Sequence, residues 1–239
     1  MISIPIIYED DTVVVINKPS GIRAHRDAFS KPEDMTVADW FVQKYPHAEG
    51  VGEVLKSKDT VIARPGIVHR LDGDTSGVMI LAKTQDTFLT LKAQFHDRLA
   101  EKEYRAFVYG AVKMVKGVID RPIGRSSKDF RLRSAQRGAK GLMRPAVTHW
   151  ERLAVSDEHS YLKLIPKTGR THQLRVHLKA INHPIICDSL YAPSHQAALG
   201  FSSLALLAYG LTLTLPNGEK KTFFAPLPDV FNNAEKLLK

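Results

Sequence analysis

The chain contains one cysteine, Cys187, among 239 residues. No intrachain disulfide can form, a cysteine-based zinc site is excluded, and the thiol content suits a reducing compartment. No apolar run approaches the roughly 20 residues that cross a bilayer. The N-terminal MISIPIIYEDD has no basic segment ahead of its short apolar stretch, and acids interrupt that stretch at once. Neither signal peptide nor membrane anchor is expected, and the reading is a cytoplasmic protein. There is no Gly-x-Gly-x-x-Gly after a strand and no P-loop pattern, so neither dinucleotide nor P-loop phosphate binding is signalled. Internal repeats and low-complexity tracts are also missing.

Basic residues are plentiful. Thirty-four Lys and Arg against 25 Asp and Glu give a formal charge of +9 and a pI near 9.6. That balance favours a polyanionic partner such as nucleic acid over an acidic small molecule, although solubility alone yields the same composition. With 44% hydrophobic residues a sizeable core is available.

Residues 12–17 form a β-branched run stopped by Lys18-Pro19-Ser20-Gly21, which predicts a buried strand entering a turn. Val37, Trp40, Phe41 and Tyr45 follow helical spacing behind a Thr36 N-cap. Residues 47–66 show no periodicity and read as a surface connection. Val78-Met79-Ile80-Leu81-Ala82 predicts a buried strand, and Thr84 caps a helix whose Phe88, Leu91, Phe95 and Leu99 line one face. Further strands are expected at 103–109, 146–155, 160–165 and 204–215, with a helix at about 172–181. A hairpin turns at Asn217-Gly218 and the tail from Asp229 is helical. The alternation is too irregular for βαβ winding and suits a mixed, largely antiparallel α+β sheet.

Three clusters could carry chemistry. His69, Arg70, Asp72, Asp74, Thr75 and Ser76 sit between a Pro-Gly turn and an apolar strand. A carboxylate flanked by cations stays ionised and positioned, which suits a nucleophile or base; a structural ion pair looks the same, and the two readings stand level. Lys167 through Arg175 is a glycine turn opening a helix, where backbone N–H groups with Arg170 and Arg175 would make an anion site, unless both arginines are merely exposed. Between 125 and 144 lie Arg125, Lys128, Arg131, Arg133, Arg137, Lys140 and Arg144 with only Asp129 opposing them. This looks like a mobile basic arm that tracks phosphates, or else a solvated charge run. His172 and His177 are five apart without an intervening H-E-x-x-H glutamate. Backbone or RNA-phosphate bonding fits them better than a metal, and no metal is expected.

These residues resemble the RluA-type pseudouridine synthases, which isomerise uridine in ribosomal or transfer RNA. Asn17 through Gly21 resembles the family's first motif. Arg64 through Asp72 with Thr75-Ser76-Gly77 is similar to the second, Lys102 through Ala106 to the third, and Lys167 through His177 to the last. Ala146 through His149 and Phe224 through Pro228 extend the likeness over nearly the whole chain. Two departures stand out. The first strand begins almost at Met1, so the extra N-terminal RNA-binding domain that many relatives carry is expected to be absent. Leu206-Leu207-Ala208-Tyr209 stands where relatives more often show a histidine-containing stretch.

The resemblance implies one catalytic domain over 1–239, with a central mixed, mostly antiparallel sheet flanked by helices and split by an RNA-binding cleft. It also implies a reaction with no metal or cofactor. Asp72 would be the essential residue, Arg170 would pair with it, and Tyr104 would lie against the target base as a packing surface and proton acceptor. Leu174 would wall the pocket, and Arg70 would fill the space left by a flipped uridine, as chemistry on a stacked base requires. His69, Thr75 and Arg175 belong to the same substrate pocket, while Arg131, Arg133 and Arg137 would hold RNA. RNA is the expected partner of a monomer, its identity written in residues 26–64 and the basic segment. The competing reading is an RNA-binding assembly factor whose catalysis is dispensable.

Overall fold

The computed structural model describes residues 2–26, 30–31, 33–57, 60–127, 129, 132–136 and 139–238. The architecture is α+β with a mixed, mostly antiparallel sheet, as the irregular alternation of elements predicts. The chain forms two compact units, Met1–Glu101 with Gly210–Pro226, and Lys102–Tyr209 with Leu227–Lys239.

The first unit begins with β1 (Ile6–Glu9) and β2 (Val13–Lys18), followed by α1 (Val37–Lys44) and a single 3-10 turn, Pro46–Ala48. Next come the hairpin of β3 (Val54–Ser57) and β4 (Thr60–Ala63), then β5 (Ser76–Ala82) and α2 (Gln85–His96). β2 pairs antiparallel with both β1 and β5. Val13–Ile16 and Met79–Ala82 are fully buried. That explains why both read as continuous apolar runs and not as alternations. Helix α1 starts at a capping box in which the Thr36 hydroxyl accepts from Asp39 N–H while the Asp39 carboxylate accepts from Thr36 N–H.

The second unit runs through β6 (Glu101–Tyr109), whose first residue still belongs to the first unit, then β7 (Lys116–Asp120), β8 (Ile123–Arg125) and β9 (Arg133–Ser134). It continues with β10 (Lys140–Arg144), β11 (Val147–Val155), β12 (His159–Pro166) and α3 (Gln173–Ala180). β13 (Leu206–Thr214) passes from the second unit to the first at Gly210, where it pairs with β14 (Lys220–Phe224); α4 (Asp229–Lys236) closes the second unit. Strands β6, β12, β11 and β7 are antiparallel neighbours in that order. Phe107 and Tyr161 are register partners whose rings stack at 4.2 Å, and α4 adds Phe231 at 5.5 Å from Phe107.

Three sequence expectations need correction. Residues 47–66 are not a bare connection, because the 3-10 turn from Pro46 runs into them and the β3–β4 hairpin lies within them; four-residue strands are too short to register as periodicity. Leu99 does not extend the apolar stripe of α2. The helix ends at His96, Arg98 turns left-handed at φ 63°, and Leu99 is 64% exposed. Where a basic arm is expected, the described residues of that segment contribute to a three-stranded antiparallel sheet in the order β10, β8, β9. Ile123 of that sheet packs into a small core with Ala146, Val176 of α3 and Tyr191.

Gly66 shows how tightly the approach to the His69–Gly77 loop is built. Its φ is +67°, and a Cβ there would lie 2.6 Å from Phe41 Cε1 and 2.8 Å from the Ala82 carbonyl oxygen. Gly66→Ala should therefore cost about 2–4 kcal/mol through left-handed strain and overpacking, seen as a lower denaturant midpoint. An unchanged midpoint would contradict the packing described.

Candidate functional site

In the first unit the site grows from the end of β2. Lys18 terminates a strand buried on both faces, so its ammonium must find acceptors inside the protein. It donates to the carbonyls of Pro19 (2.8 Å), Ile22 (2.6 Å) and Gly73 (2.9 Å), and the residue is fully buried. Gly73 O also accepts Gly21 N–H at 2.9 Å, and Ser20 Oγ donates to Asp74 O at 2.7 Å. Asp72 opens the turn so pinned, its carbonyl accepting Thr75 N–H at 3.1 Å, and β5 begins one residue later. Lys18-Pro19-Ser20-Gly21 is thus the platform for Asp72-Gly73-Asp74-Thr75. Asp72 itself is half-buried, and Thr75 is buried.

His69 works on the frame of this loop. Its Nε2 accepts Ile80 N–H at 3.1 Å and its ring stacks on Phe95 at 4.4 Å, 14° from parallel. Arg70 is exposed and donates from Nη1 to His25 Nε2 at 3.1 Å. His25 Nδ1 lies 2.7 Å from the Arg26 carbonyl, which can only accept. The hydrogen therefore sits on Nδ1, and Nε2 is left as the acceptor that Arg70 needs.

In the second unit Tyr104 lies half-buried on β6 opposite Leu164. Strand alternation sends its neighbours Glu103 and Arg105 to the other face, where they pair at 2.6 Å and Arg105 stacks over Tyr209 at 4.7 Å. Arg170 donates from Nε to Pro145 O at 3.1 Å, and its backbone N–H bonds to Gln173 Oε1. Gln173, buried, also takes the Thr168 hydroxyl and donates to Val147 O and Thr148 Oγ1. One amide thereby holds the 167–173 turn against β11. His172, left-handed at φ 56°, bonds to Tyr191 OH at 2.8 Å, and the same oxygen accepts Arg133 N–H.

Arg175 corrects the expectation of an arginine facing RNA. It is 2% exposed and grips Asp188 through Nε at 2.8 Å and Nη2 at 2.6 Å. Asp188 also accepts the N–H groups of Leu190 and Tyr191, which ties α3 to the 188–191 turn. His177 is fully buried between Thr148 Oγ1 and Arg121 O, and burial holds its pKa below the ordinary value. Both of its ring nitrogens are thereby occupied, in line with the backbone-bonding reading. Leu174 is also buried. Of the expected RNA-holding arginines, Arg131 and Arg137 lie outside the described residues. Arg133 faces Arg125 across β9–β8, and Arg125 faces Lys140 across β8–β10, so three cations form one cross-strand row. Like charges directly opposed destabilise a sheet, and a polyanion would relieve that repulsion.

Sequence reading alone missed His25, Gln173 and Asp188. A lysine ending a buried strand is itself a signal for the Lys18 platform. His25 offered none, because its contact depends on folding the chain back to Arg70, 45 positions further on.

The pattern for "RNA pseudouridylate synthase" matches residues 12–180. An uncharacterized RNA pseudouridine synthase of Synechocystis sp. is 39% identical over 238 residues, covering 99% of this chain and 68% of that protein. Ribosomal large subunit pseudouridine synthase D of Neisseria meningitidis is 38% identical over 238 residues, covering 95% of this chain and 59% of its own length. The chain belongs to the RNA pseudouridylate synthase family. Among solved structures, human RNA pseudouridylate synthase domain containing 4 is 26% identical with a TM-score of 0.73, covering 98% of this chain and 92% of that one. The human domain containing 1 protein, 24% identical with a TM-score of 0.76 over 97% of this chain and 87% of its own, shares the fold. The chain thus spans roughly three fifths to two thirds of the curated relatives named. The family match takes in the Lys18 platform, the Asp72 turn, Tyr104 and the Gln173 turn together.

Burial pushes the Lys18 ammonium down to about 8 from 10.5, against the opposing pull of Asp72 and Asp74. Its folded pKa lies below the unfolded value, so between these limits the unfolded chain binds more protons. The cost of burying the charge is full below pH about 8 and fades as pH rises toward 10.5. Denaturant unfolding should therefore show wild-type stability rising relative to Lys18→Met across that window. Parallel pH curves would contradict the buried charge.

Proposed function

We propose that this chain is an RNA pseudouridine synthase that isomerises uridine in ribosomal or transfer RNA, with Asp72 as its essential group. The observation that carries the reading is the pinned turn: a half-buried carboxylate opening a loop whose backbone carbonyls are held by Lys18 and Ser20. Ribosomal RNA is the favoured substrate, because relatives similar to this chain bear the name ribosomal large subunit pseudouridine synthase D.

The reaction breaks the bond from N1 of uracil to C1′ of ribose, joins C5 to C1′, and moves a proton from C5 to N1. Atoms and oxidation state balance within the nucleotide, so the chemistry asks for positioning and charge stabilisation and not for a redox cofactor. A carboxylate fixed beside the ribose meets the positive charge that develops as the glycosidic bond weakens. Arg170, held at Nε by Pro145 O and at its N–H by Gln173, is assigned to pair with that carboxylate and orient it. Tyr104 is assigned to stack on the detached uracil and receive the C5 proton, and Leu174 to wall the pocket. A closed apolar pocket retains the base until it turns and rejoins the sugar.

Reaching that pocket requires the uridine to leave its stack, at a cost of a few kcal/mol. Arg70, exposed and two residues before Asp72, is assigned to occupy the vacated space. The row Lys140, Arg125 and Arg133 holds phosphates without reading sequence. A cytoplasmic monomer is the working form in this reading.

Purified protein without added metal should convert uridine to pseudouridine in large-subunit ribosomal RNA or transfer RNA, detected by mapping modified positions. Asp72→Asn should abolish conversion while leaving the unfolding midpoint close to wild type. Undiminished conversion by the folded variant would overturn the assignment, and restoration of wild-type growth by that variant would favour the assembly-factor reading.

A further inference from the structure

The first unit contains a cavity of about 240 Å³ lined by His25, Glu53, Arg64, Arg70, Phe88 and Lys92, with Ile67, Val68 and His69 completing its wall. Asp72 is not among the lining residues. The charge in this cavity is unbalanced. Three cationic side chains face one carboxylate, and that carboxylate, Glu53, is already paired with Lys92. Arg64 and Arg70 repel one another: burial and the nearby Arg70 charge both hold the Arg64 guanidinium below its ordinary pKa. Arg64 Nε is out of contact with solvent and has no hydrogen-bond partner among the described residues, a condition that costs about 1–3 kcal/mol.

The walls strengthen whatever binds. Phe88 and Ile67 are 2% and 8% exposed, and Lys92 Nζ sits 5.8 Å over the Phe88 ring. Charges beside such apolar surface are screened less than in bulk water. Buried His25 accepts from Arg70 and so turns that guanidinium relative to the cavity. A cation is excluded by the existing positive excess. The volume lies below the range of about 300–1,000 Å³ typical of drug-sized ligands, yet it accommodates a phosphodiester group. Arginine forks match phosphate oxygens in pairs, and a lysine adds a point charge.

We propose that this cavity seats a backbone phosphate of the RNA, gripped by Arg64 and Lys92, with His25 holding Arg70 at the rim, from where its guanidinium is assigned to the vacated stack. The proposal rests on the RNA-modifying reading above. It makes the cavity a register site: a phosphate fixed here sets which nucleotide comes to the loop carrying Asp72, two residues beyond Arg70.

The test measures binding of oligouridylate RNA over a range of KCl concentrations by wild-type protein, Arg64→Gln, Lys92→Gln and the control Lys236→Gln. Lys236 is an exposed residue of α4, in the second unit. Each cavity variant should weaken binding several-fold and lower the magnitude of the salt slope by about one, the loss of one phosphate contact. The control should keep the wild-type slope. Should Arg64→Gln fail to fold, Lys92→Gln on the surface of α2 decides alone. Wild-type slopes in the folded cavity variants would overturn the proposal. So would a variant defect seen only with inorganic phosphate at matched ionic strength, which would mark a site for small anions. Pseudouridine mapping on the same preparations separates the two readings. Conversion by wild type with unchanged variant slopes removes the phosphate site alone. Altered slopes without conversion by wild type remove the enzyme reading and leave the phosphate site standing.

Discussion

A charged lysine with no exposure to solvent is held at the end of β2, and the loop that bears Asp72 is folded around it. The ammonium needs three acceptors, and two of them, Pro19 O and Ile22 O, come from its own turn. The third is Gly73 O, from 55 residues away, so satisfying the lysine forces the two segments together. Removing the charge from water costs several kcal/mol unless every proton is accommodated, which makes this geometry strict. Burial disfavours the charged form, and the nearby carboxylates of Asp72 and Asp74 offset part of that cost.

The second unit applies the same physics with different groups. Gln173 satisfies four partners around the 167–173 turn, and Asp188 receives both arms of Arg175 together with two backbone N–H groups. Polar side chains that a motif suggests for substrate are here divided between scaffold and site. Arg175, His177 and Gln173 build the scaffold, while Tyr104 and Arg170 are assigned to substrate. Among the described residues of β8, β9 and β10, the cross-strand row of Lys140, Arg125 and Arg133 has the opposite character. Its charges face one another at some cost to the sheet, as suits a surface that meets a polyanion.

Much of the fold was legible because the informative segments are strongly patterned. The buried runs of β2 and β5, the Thr36 and Thr84 caps, and the Asn217-Gly218 turn, with Gly218 at φ +87°, each follow from local chemistry. Strand β7 escaped because its exposed Val118 and buried Ile119 alternate over only five residues. The β8–β10 sheet was hidden because its charges resemble a solvated run, and its anchor, the small core around Ile123 and Tyr191, joins residues far apart in sequence. At the site, residue types singled out Asp72, but they could not distinguish exposed Arg70 from buried Arg175. That difference depends on Asp188, thirteen residues beyond Arg175 and on no recognisable motif.

In the proposed enzyme Lys18 would serve the reaction by holding the Asp72 turn through Gly73 O, without touching RNA itself. Single-turnover pseudouridine formation by Lys18→Met, measured beside its RNA affinity, tests this most directly. Lys18→Met should give a folded protein that binds RNA within about two-fold of wild type but reacts at least about ten-fold more slowly, since a catalytic group misplaced by about 1 Å can cost that much or more. A folded variant reacting at the wild-type rate would contradict it.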